Sequence, residues 1–396
     1  MYQPFFMCIF RAYNYDPSQN LVMSEPRVAF LIHGLVVGGA EKFFISLVND
    51  FYRAGHDPLV ILLSDDNALF PEMDAGVNSI IIKRKFKYDL RVGKRINAVL
   101  DEHKIDRVFC VGIFSFFLMK LYSNSRSGRI FFLSLHSTIP ANRKEHILNY
   151  FYFRSISHTD RVIFICKAQK DYLHRKYFFK PKTSGIIYNG INTSYFTPCQ
   201  EGPACKQTLR RDLKLPVEEK IIVNIARLFP EKGHMYGIDA LGVLHERFKC
   251  PAHLVIVGSG DPDYTEKTRQ YASQSAVAPF IHFIEHQKDV RPFHRMADVF
   301  TLTSYSIETF SLAALEAMSS GVPCSLTNIG GASEMIFDHT GRLSQSKDPL
   351  SIASSWFDLL KKEFDPNSLH DFVAQNFSLD QMLSNYRKAI FEDRLN

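Results

Sequence analysis

Short β-branched runs alternate with longer amphipathic runs along the chain, and that rhythm breaks once. Strand patterns fall at residues 27–33, 58–64, 78–83, 107–112, 129–135, 161–165 and 184–188. Helical patterns near 39–54, 90–103, 142–155 and 167–177 lie between them. Strands that alternate with helices predict βαβ units and a parallel sheet. Residues 192–219 then hold Pro198, Gly202, Pro203 and Pro216 with little strand character, and read as a linker. The alternation restarts at 221–226, with strands at 253–257, 280–284, 298–303 and 322–326 and helices near 232–248, 263–275 and 310–320. One more helix is expected at 379–392. The prediction is an α/β chain of two successive doubly wound halves. It has a tail at 1–25, a first domain at 26–195, a linker at 196–219, a second domain at 220–375 and a terminal helix within 376–396. Ligands of such sheets bind beyond the carboxyl ends of the strands, so the expected site is the cleft between the halves.

Size and composition agree. A chain of 396 residues has room for two domains or three. With 46% hydrophobic and 22% charged residues it cannot be a disordered polymer. Its longest apolar run, 108–119, has 12 residues, where a membrane-spanning helix needs about 20. Residues 1–10 are apolar but lack a basic flank and a cleavage site, which argues against a signal peptide; Met23 is a rival start. The 7 cysteines (Cys8, Cys110, Cys166, Cys199, Cys205, Cys250 and Cys324) form no C-x-x-C pair. The expectation is a reduced, cytoplasmic protein without a disulfide framework or zinc ribbon.

The net charge of +6 is uneven. The first 205 residues hold 26 Lys/Arg against 17 Asp/Glu, and the remainder 21 against 24. Lys83, Arg84, Lys85, Lys87, Arg91, Lys94 and Arg95 form the densest cluster. It reads equally as a solvated helix face or as a patch for an anionic surface.

Several residues at strand ends can carry chemistry. Gly38-Gly39-Ala40-Glu41 opens the first helix, where glycines let backbone approach a ligand and bare the helix amides. It is not the dinucleotide G-x-G-x-x-G. His136 ends one strand, and His33, at a similar strand end, is its rival among 15 histidines. Arg227 follows the strand 221–226, and Glu231-Lys232-Gly233 opens the next helix; two cations five residues apart suit a diphosphate. Val257-Gly258-Ser259-Gly260 is another glycine turn. Glu308 and Glu316 lie eight residues apart, with a helix expected from Phe310 through Ser311 and Leu312. Its first-turn amides would face a phosphate, and the carboxylates would accept from sugar hydroxyls. No metal-ligand constellation is expected.

In order, Gly38-Gly39-Ala40-Glu41, Asn189-Gly190-Ile191-Asn192, Ala226-Arg227 with Glu231-Lys232-Gly233, Val257-Gly258-Ser259-Gly260, the E-x7-E of Glu308 and Glu316, Gly321-Val322-Pro323 and Gly330-Gly331-Ala332-Ser333-Glu334 resemble the retaining glycosyltransferases of group 1, a family-4-like group with the GT-B fold. The resemblance spans about residues 27–390. It implies two facing Rossmann-like domains and a nucleotide-diphosphate-sugar donor, a UDP-sugar first and a GDP-sugar second, with no further cofactor. It assigns Arg227 and Lys232 to the diphosphate, Glu308 to the transferred sugar, Glu316 to the ribose and His136 to the donor sugar from the first domain. Gly38, Gly39, Gly258, Gly260, Phe310, Ser311 and Leu312 would complete the donor site. The acceptor would be a lipid-linked glycan or a polysaccharide, as in capsule or lipopolysaccharide synthesis.

The resemblance also implies that the basic cluster docks on the cytoplasmic face of an inner membrane, and that the last helix packs back on the first domain. The run Tyr150-Phe151-Tyr152-Phe153 is expected to be buried. Three positions depart from the family: Ser311 for a common Gly, Phe283-Ile284-Glu285 for F-x-G near the base, and Asn192 for a common Asp. Competing readings are a GT-B epimerase, a phosphorylase or a non-catalytic homologue; a nucleic-acid binder is disfavoured by the acidic second half.

Overall fold

The computed structural model describes residues 25–36, 38–86, 89–123, 128–136, 143–199, 202–306 and 308–395. The first half builds β1 (Val28–Ile32), α1 (Gly39–Arg53), β2 (Leu59–Leu62), β3 (Asn78–Ile81), α2 (Val92–Glu102), β4 (Arg107–Val111), α3 (Ile113–Lys120), β5 (Ile130–Leu135), α4 (Arg143–Arg154), β6 (Arg161–Phe164), α5 (Lys167–Tyr177) and β7 (Thr183–Ile186). Its sheet runs β3-β2-β1-β4-β5-β6-β7. The second half builds α6 (Pro203–Asp212), β8 (Lys220–Ile225), α7 (His234–Arg247), β9 (Ala252–Val257), α8 (Pro262–Ser273), β10 (Ile281–Ile284), α9 (Arg291–Met296), β11 (Val299–Leu302), α10 (Leu312–Ser319), β12 (Cys324–Thr327), β13 (Gly341–Ser344), α11 (Pro349–Lys361), α12 (Pro366–Asn376) and α13 (Leu379–Glu392). Its sheet runs β10-β9-β8-β11-β12-β13. The pairings within both sheets are parallel.

Central strands such as Val28-Ala29-Phe30-Leu31-Ile32 are apolar at every position because helices cover both faces. Apolar clusters fill the two sides of each sheet, with Phe30, Phe44 and Phe109 on one side of the first and Trp356 under the second. The order reverses between β1 and β4 and between β8 and β11, and these are the points where doubly wound sheets bind ligands. This pair of Rossmann-like sheets is the GT-B fold.

The chain crosses between halves twice, side by side. Ile191 N–H donates to Phe377 O at 3.0 Å, and Leu379 N–H donates to Ile191 O at 2.7 Å. α13 then lies on the first sheet's side. Tyr386 Oη is 3.2 Å from Ser134 Oγ, and Arg387 and Arg161 pair with Asp50 and Asp393.

Three expectations need correction. The segment read as a linker carries α6, whose Gly202 and Pro203 are its N-cap and first residue rather than breakers. α6 is bolted to the second sheet: Lys206 and Arg210 each reach Asp298 at 2.7 Å. Cys199 and Cys205 are joined as a disulfide, whereas Cys110, Cys166, Cys250 and Cys324 are free. An odd count and the lack of C-x-x-C do not exclude a single short loop closure. α3, which had no counterpart among the expected elements, carries the apolar run on past Gly112. Finally, only Tyr152 and Phe153 of the aromatic run are buried; Phe151 is 60% exposed. Among the described residues no helix is long and apolar enough to cross a membrane.

Candidate active site

The loops that leave β8 and β11 flank the reversal point of the second sheet. The first carries Arg227 and, in a short 3-10 turn, Lys232. The second carries Ser304 and Glu308. Lys232 Nζ lies 2.7 Å from Glu308 Oε2, and Ser304 Oγ donates to the same oxygen at 3.3 Å. Both charged side chains are largely shielded from solvent, at 18% and 19% exposed. Backbone packing fixes the main chain of Glu308. Gly330 has φ +54°, and a Cβ there would collide with the Glu308 carbonyl. The 330–334 motif therefore forms the wall behind Glu308.

α10 begins at Leu312, not at Phe310. Ser311 is its N-cap and accepts from Ala314 N–H at 3.2 Å, which gives a reason for Ser at this position. Phe310 is buried 5.3 Å from Tyr188 and 5.4 Å from Phe377, so it packs where the halves meet and does not present its ring as a free ligand contact. Leu312 meets the first half: a Cβ on Gly39 would lie 3.6 Å from its side chain. A cavity of about 180 Å³ opens beside this contact, lined by Lys42, Phe43, Ser46, Asn189, Leu312 and Glu316 among others. Beside Glu308 and Ser311 lies a second void of only about 10 Å³.

His136 lies tilted against Phe43, with ring centroids 4.1 Å apart, and its Nε2 is 3.0 Å from Ser134 Oγ. Burial lowers its pKa to about 3, so the ring is neutral and serves as a hydrogen-bonding group at working pH. Its rival His33 is exposed and engages Arg84 at 3.0 Å. Glu41, one turn into α1, folds its carboxylate over Gly38. Burial raises its pKa, opposed by its own backbone N–H and by the charge of Arg227. Arg227 thus acts on the first half across the cleft. Gly258 and Gly260 meet the Ala226 and Leu228 carbonyls, where a side chain would collide. Their role here is to let two backbones touch.

Two sequence-family profiles match consecutive parts of the chain: Glycosyltransferase Family 4 over residues 37–195, and Glycosyl transferases group 1 over 206–376. The chain belongs to the glycosyltransferase group 1 family. An uncharacterized glycosyltransferase of Methanocaldococcus jannaschii is 30% identical over 228 residues, 56% of this chain and 57% of that protein. The D-inositol 3-phosphate glycosyltransferase of Streptomyces coelicolor is 27% identical over 215 residues, 50% of this chain and 47% of that protein. The chain thus spans about half the length of the curated relatives it matches. Among solved structures, Anabaena Alr3699/HepE in complex with UDP aligns with a TM-score of 0.79 at 18% identity, covering 92% of this chain and 99% of the other. The apo lipopolysaccharide outer core galactosyltransferase WaaB aligns at 0.71 and 17% identity, covering 93% and 100%.

In this chain the structure brings Lys232 to Glu308, Leu312 to Gly39, and Glu316 to the cavity wall. It also shows residues that sequence reasoning passed over. Ser304 supports Glu308. Glu334, noted only as part of a motif, accepts from Lys167 N–H at 2.8 Å, Ala168 N–H at 2.7 Å and Tyr188 O–H at 2.9 Å, clasping the first turn of α5 from the other half. Of the basic cluster, Lys83 pairs with Asp65, and Arg84 sits 5.2 Å over Phe114. Lys85, Arg91, Lys94 and Arg95 are exposed, and Lys87 lies outside the described residues.

Proposed function

We propose that this chain is a retaining glycosyltransferase that moves a hexose or N-acetylhexosamine from a nucleotide-diphosphate sugar to a lipid-linked or polysaccharide acceptor of the cell surface. The observation that carries this reading is the Lys232–Glu308 pair at the reversal point of the second sheet, with Arg227 on the same loop. Two cations and a carboxylate at that point suit a diphosphate joined to a polyol. The donor is a UDP-sugar first and a GDP-sugar second; the likeness to a UDP-bound structure supports that order.

In the reaction the bond from the sugar C1 to the leaving phosphate oxygen breaks. The acceptor oxygen bonds to C1 on the same face, and its proton passes to the departing phosphate. Arg227 and Lys232 stabilise the charge that grows on that phosphate. Glu308 accepts from hydroxyls of the transferred sugar, Glu316 accepts from those of the ribose, and neutral His136 hydrogen-bonds the sugar from the first half. The second half holds the donor, and the first faces the acceptor. α4 exposes Ile147 and Phe151, with exposed Arg143 and Lys144 on the same helix, which fits docking on an anionic cytoplasmic leaflet.

The test is a thermal shift of purified protein with UDP, GDP, ADP and their sugar conjugates. A ligand at 100 times its Kd adds about 2.7 kcal/mol of stability. A response to one nucleotide that Lys232→Ala removes supports the donor site. No response from folded protein to any of them overturns it. Incubating the donor without acceptor, and finding no epimer, separates transfer from epimerisation.

A further inference from the structure

α9 carries His294, whose side chain is wholly buried. Neither ring nitrogen has a hydrogen-bond partner among the described residues. A buried imidazole in that condition carries a desolvation cost with no return, and calls for an explanation. Phe300 and Phe196 box the ring at 5.5 and 6.2 Å, which fixes its plane but offers it no polar partner. Its Nε2 faces Glu316: it is 3.7 Å from Oε2, just beyond hydrogen-bond length. Glu316 in turn is 23% exposed and lines the cavity between the halves. One carboxylate oxygen therefore has a buried donor behind it, while the group as a whole opens toward the cleft. A shift of under about 1 Å would close the gap, and hydrogen bonds at such sites tighten when a ligand engages.

We infer that His294 is a positioning residue for Glu316: its Nε2–H donates to Oε2 from inside the protein, so that the other oxygen is held toward the hydroxyls of the bound nucleoside. The inference rests on the donor reading above. His294 touches no ligand and acts only through the carboxylate. Freed of this anchor, Glu316 would have to be ordered by the ligand itself, and binding would weaken more than turnover.

The experiment is calorimetric titration of UDP and of GDP into the wild type and into His294→Leu, His294→Gln, Glu316→Ala, Lys232→Ala and the Glu316→Ala/His294→Leu double variant. Leu fills the space without a donor, whereas Gln places an amide N–H near the position of Nε2. The expected result is that His294→Leu weakens the nucleotide that binds wild type by about 10-fold, the loss of one hydrogen bond to a charged group. His294→Gln should stay within about 3-fold, and His294→Leu should cost nothing further on the Glu316→Ala background. In a transfer assay KM for the donor should rise more than kcat falls. If the His294→Leu variant does not fold, His294→Asn, whose amide reaches only as far as Nδ1, carries the same comparison with Gln. Wild-type affinity in His294→Leu, or an equal loss with and without Glu316, overturns the inference while weakened Lys232→Ala and Glu316→Ala variants leave the donor reading standing. If neither nucleotide binds wild type, or both of those variants bind as wild type does, the donor reading falls and this inference with it.

Discussion

Lys232 and Glu308 face each other at 2.7 Å with Ser304 on the same carboxylate oxygen, and the three hold one another's geometry. Removing the ammonium takes away a charge aimed at the leaving group and leaves Glu308 without its partner. Lys232→Ala should lower kcat by about 10²–10³-fold, the scale of one lost electrostatic stabiliser, with the fold intact by circular dichroism. A drop of less than about 3-fold, what rim contacts give, would remove Lys232 from the mechanism. These charged residues were legible in the sequence because loops at strand ends announce themselves by glycines and by charge after an apolar run. The side to which a ring turns is not written that way. Phe310 stood in the right motif, yet it packs on Tyr188 and Phe377. His294 had no signal at all: a single histidine in a six-residue helix makes no periodic pattern.

At the scale of elements, the parallel strands were readable because burial on both faces leaves them apolar end to end. α6 was not, since its capping glycine and first-turn proline are the same residues that mark a linker. Its docking depends on Asp298, which takes Lys206 and Arg210 together while Arg210 is almost fully buried. Asp298→Ala leaves the guanidinium its backbone carbonyls but no counter-charge, and should cost about 3 kcal/mol in urea unfolding, a loss typical of a broken buried pair. A cost below about 1 kcal/mol, the range of exposed pairs, would show that α6 is held by its apolar contacts alone. α4 misled in the opposite direction. Four consecutive aromatics suggested burial, but a helix turns about 100° per residue, so half of them must leave the core. Ile147→Glu with Phe151→Glu should abolish co-sedimentation with vesicles rich in phosphatidylserine and leave nucleotide binding unchanged. Undiminished sedimentation would move the docking surface away from α4.

Across the whole molecule the halves are joined by more than the two crossing strands of chain. Glu334 caps α5 from the second half, and Tyr188 donates to it from the end of the first. Burial and then the neighbouring carboxylate raise the Tyr188 pKa, so the phenol keeps its proton and stays a donor. The clasp was hidden in the sequence because its partners stand 146 to 167 residues apart. Glu334→Ala should enlarge the radius of gyration in X-ray scattering, and addition of the bound nucleotide should reverse the change; an unaltered scattering profile would mean that Phe310 and its ring neighbours suffice.

One histidine in each half ties stability to pH. Burial lowers His136 to about 3, and burial with the charge of Lys232 lowers His234 to about 4. Each titrates near 6.5 in the unfolded chain. Between pH 6.5 and about 4 the unfolded chain therefore binds protons that the folded one refuses, and stability must rise with pH in that window. The contribution is complete above pH 6.5 and is lost progressively as pH falls through 6 and 5 toward those values. Tm should accordingly drop from pH 7 to pH 5, and the His136→Gln/His234→Gln double variant should show a shallower drop, whatever its Tm at pH 7. An equal slope in both proteins would assign the acid sensitivity to other groups and return the two rings to a packing role.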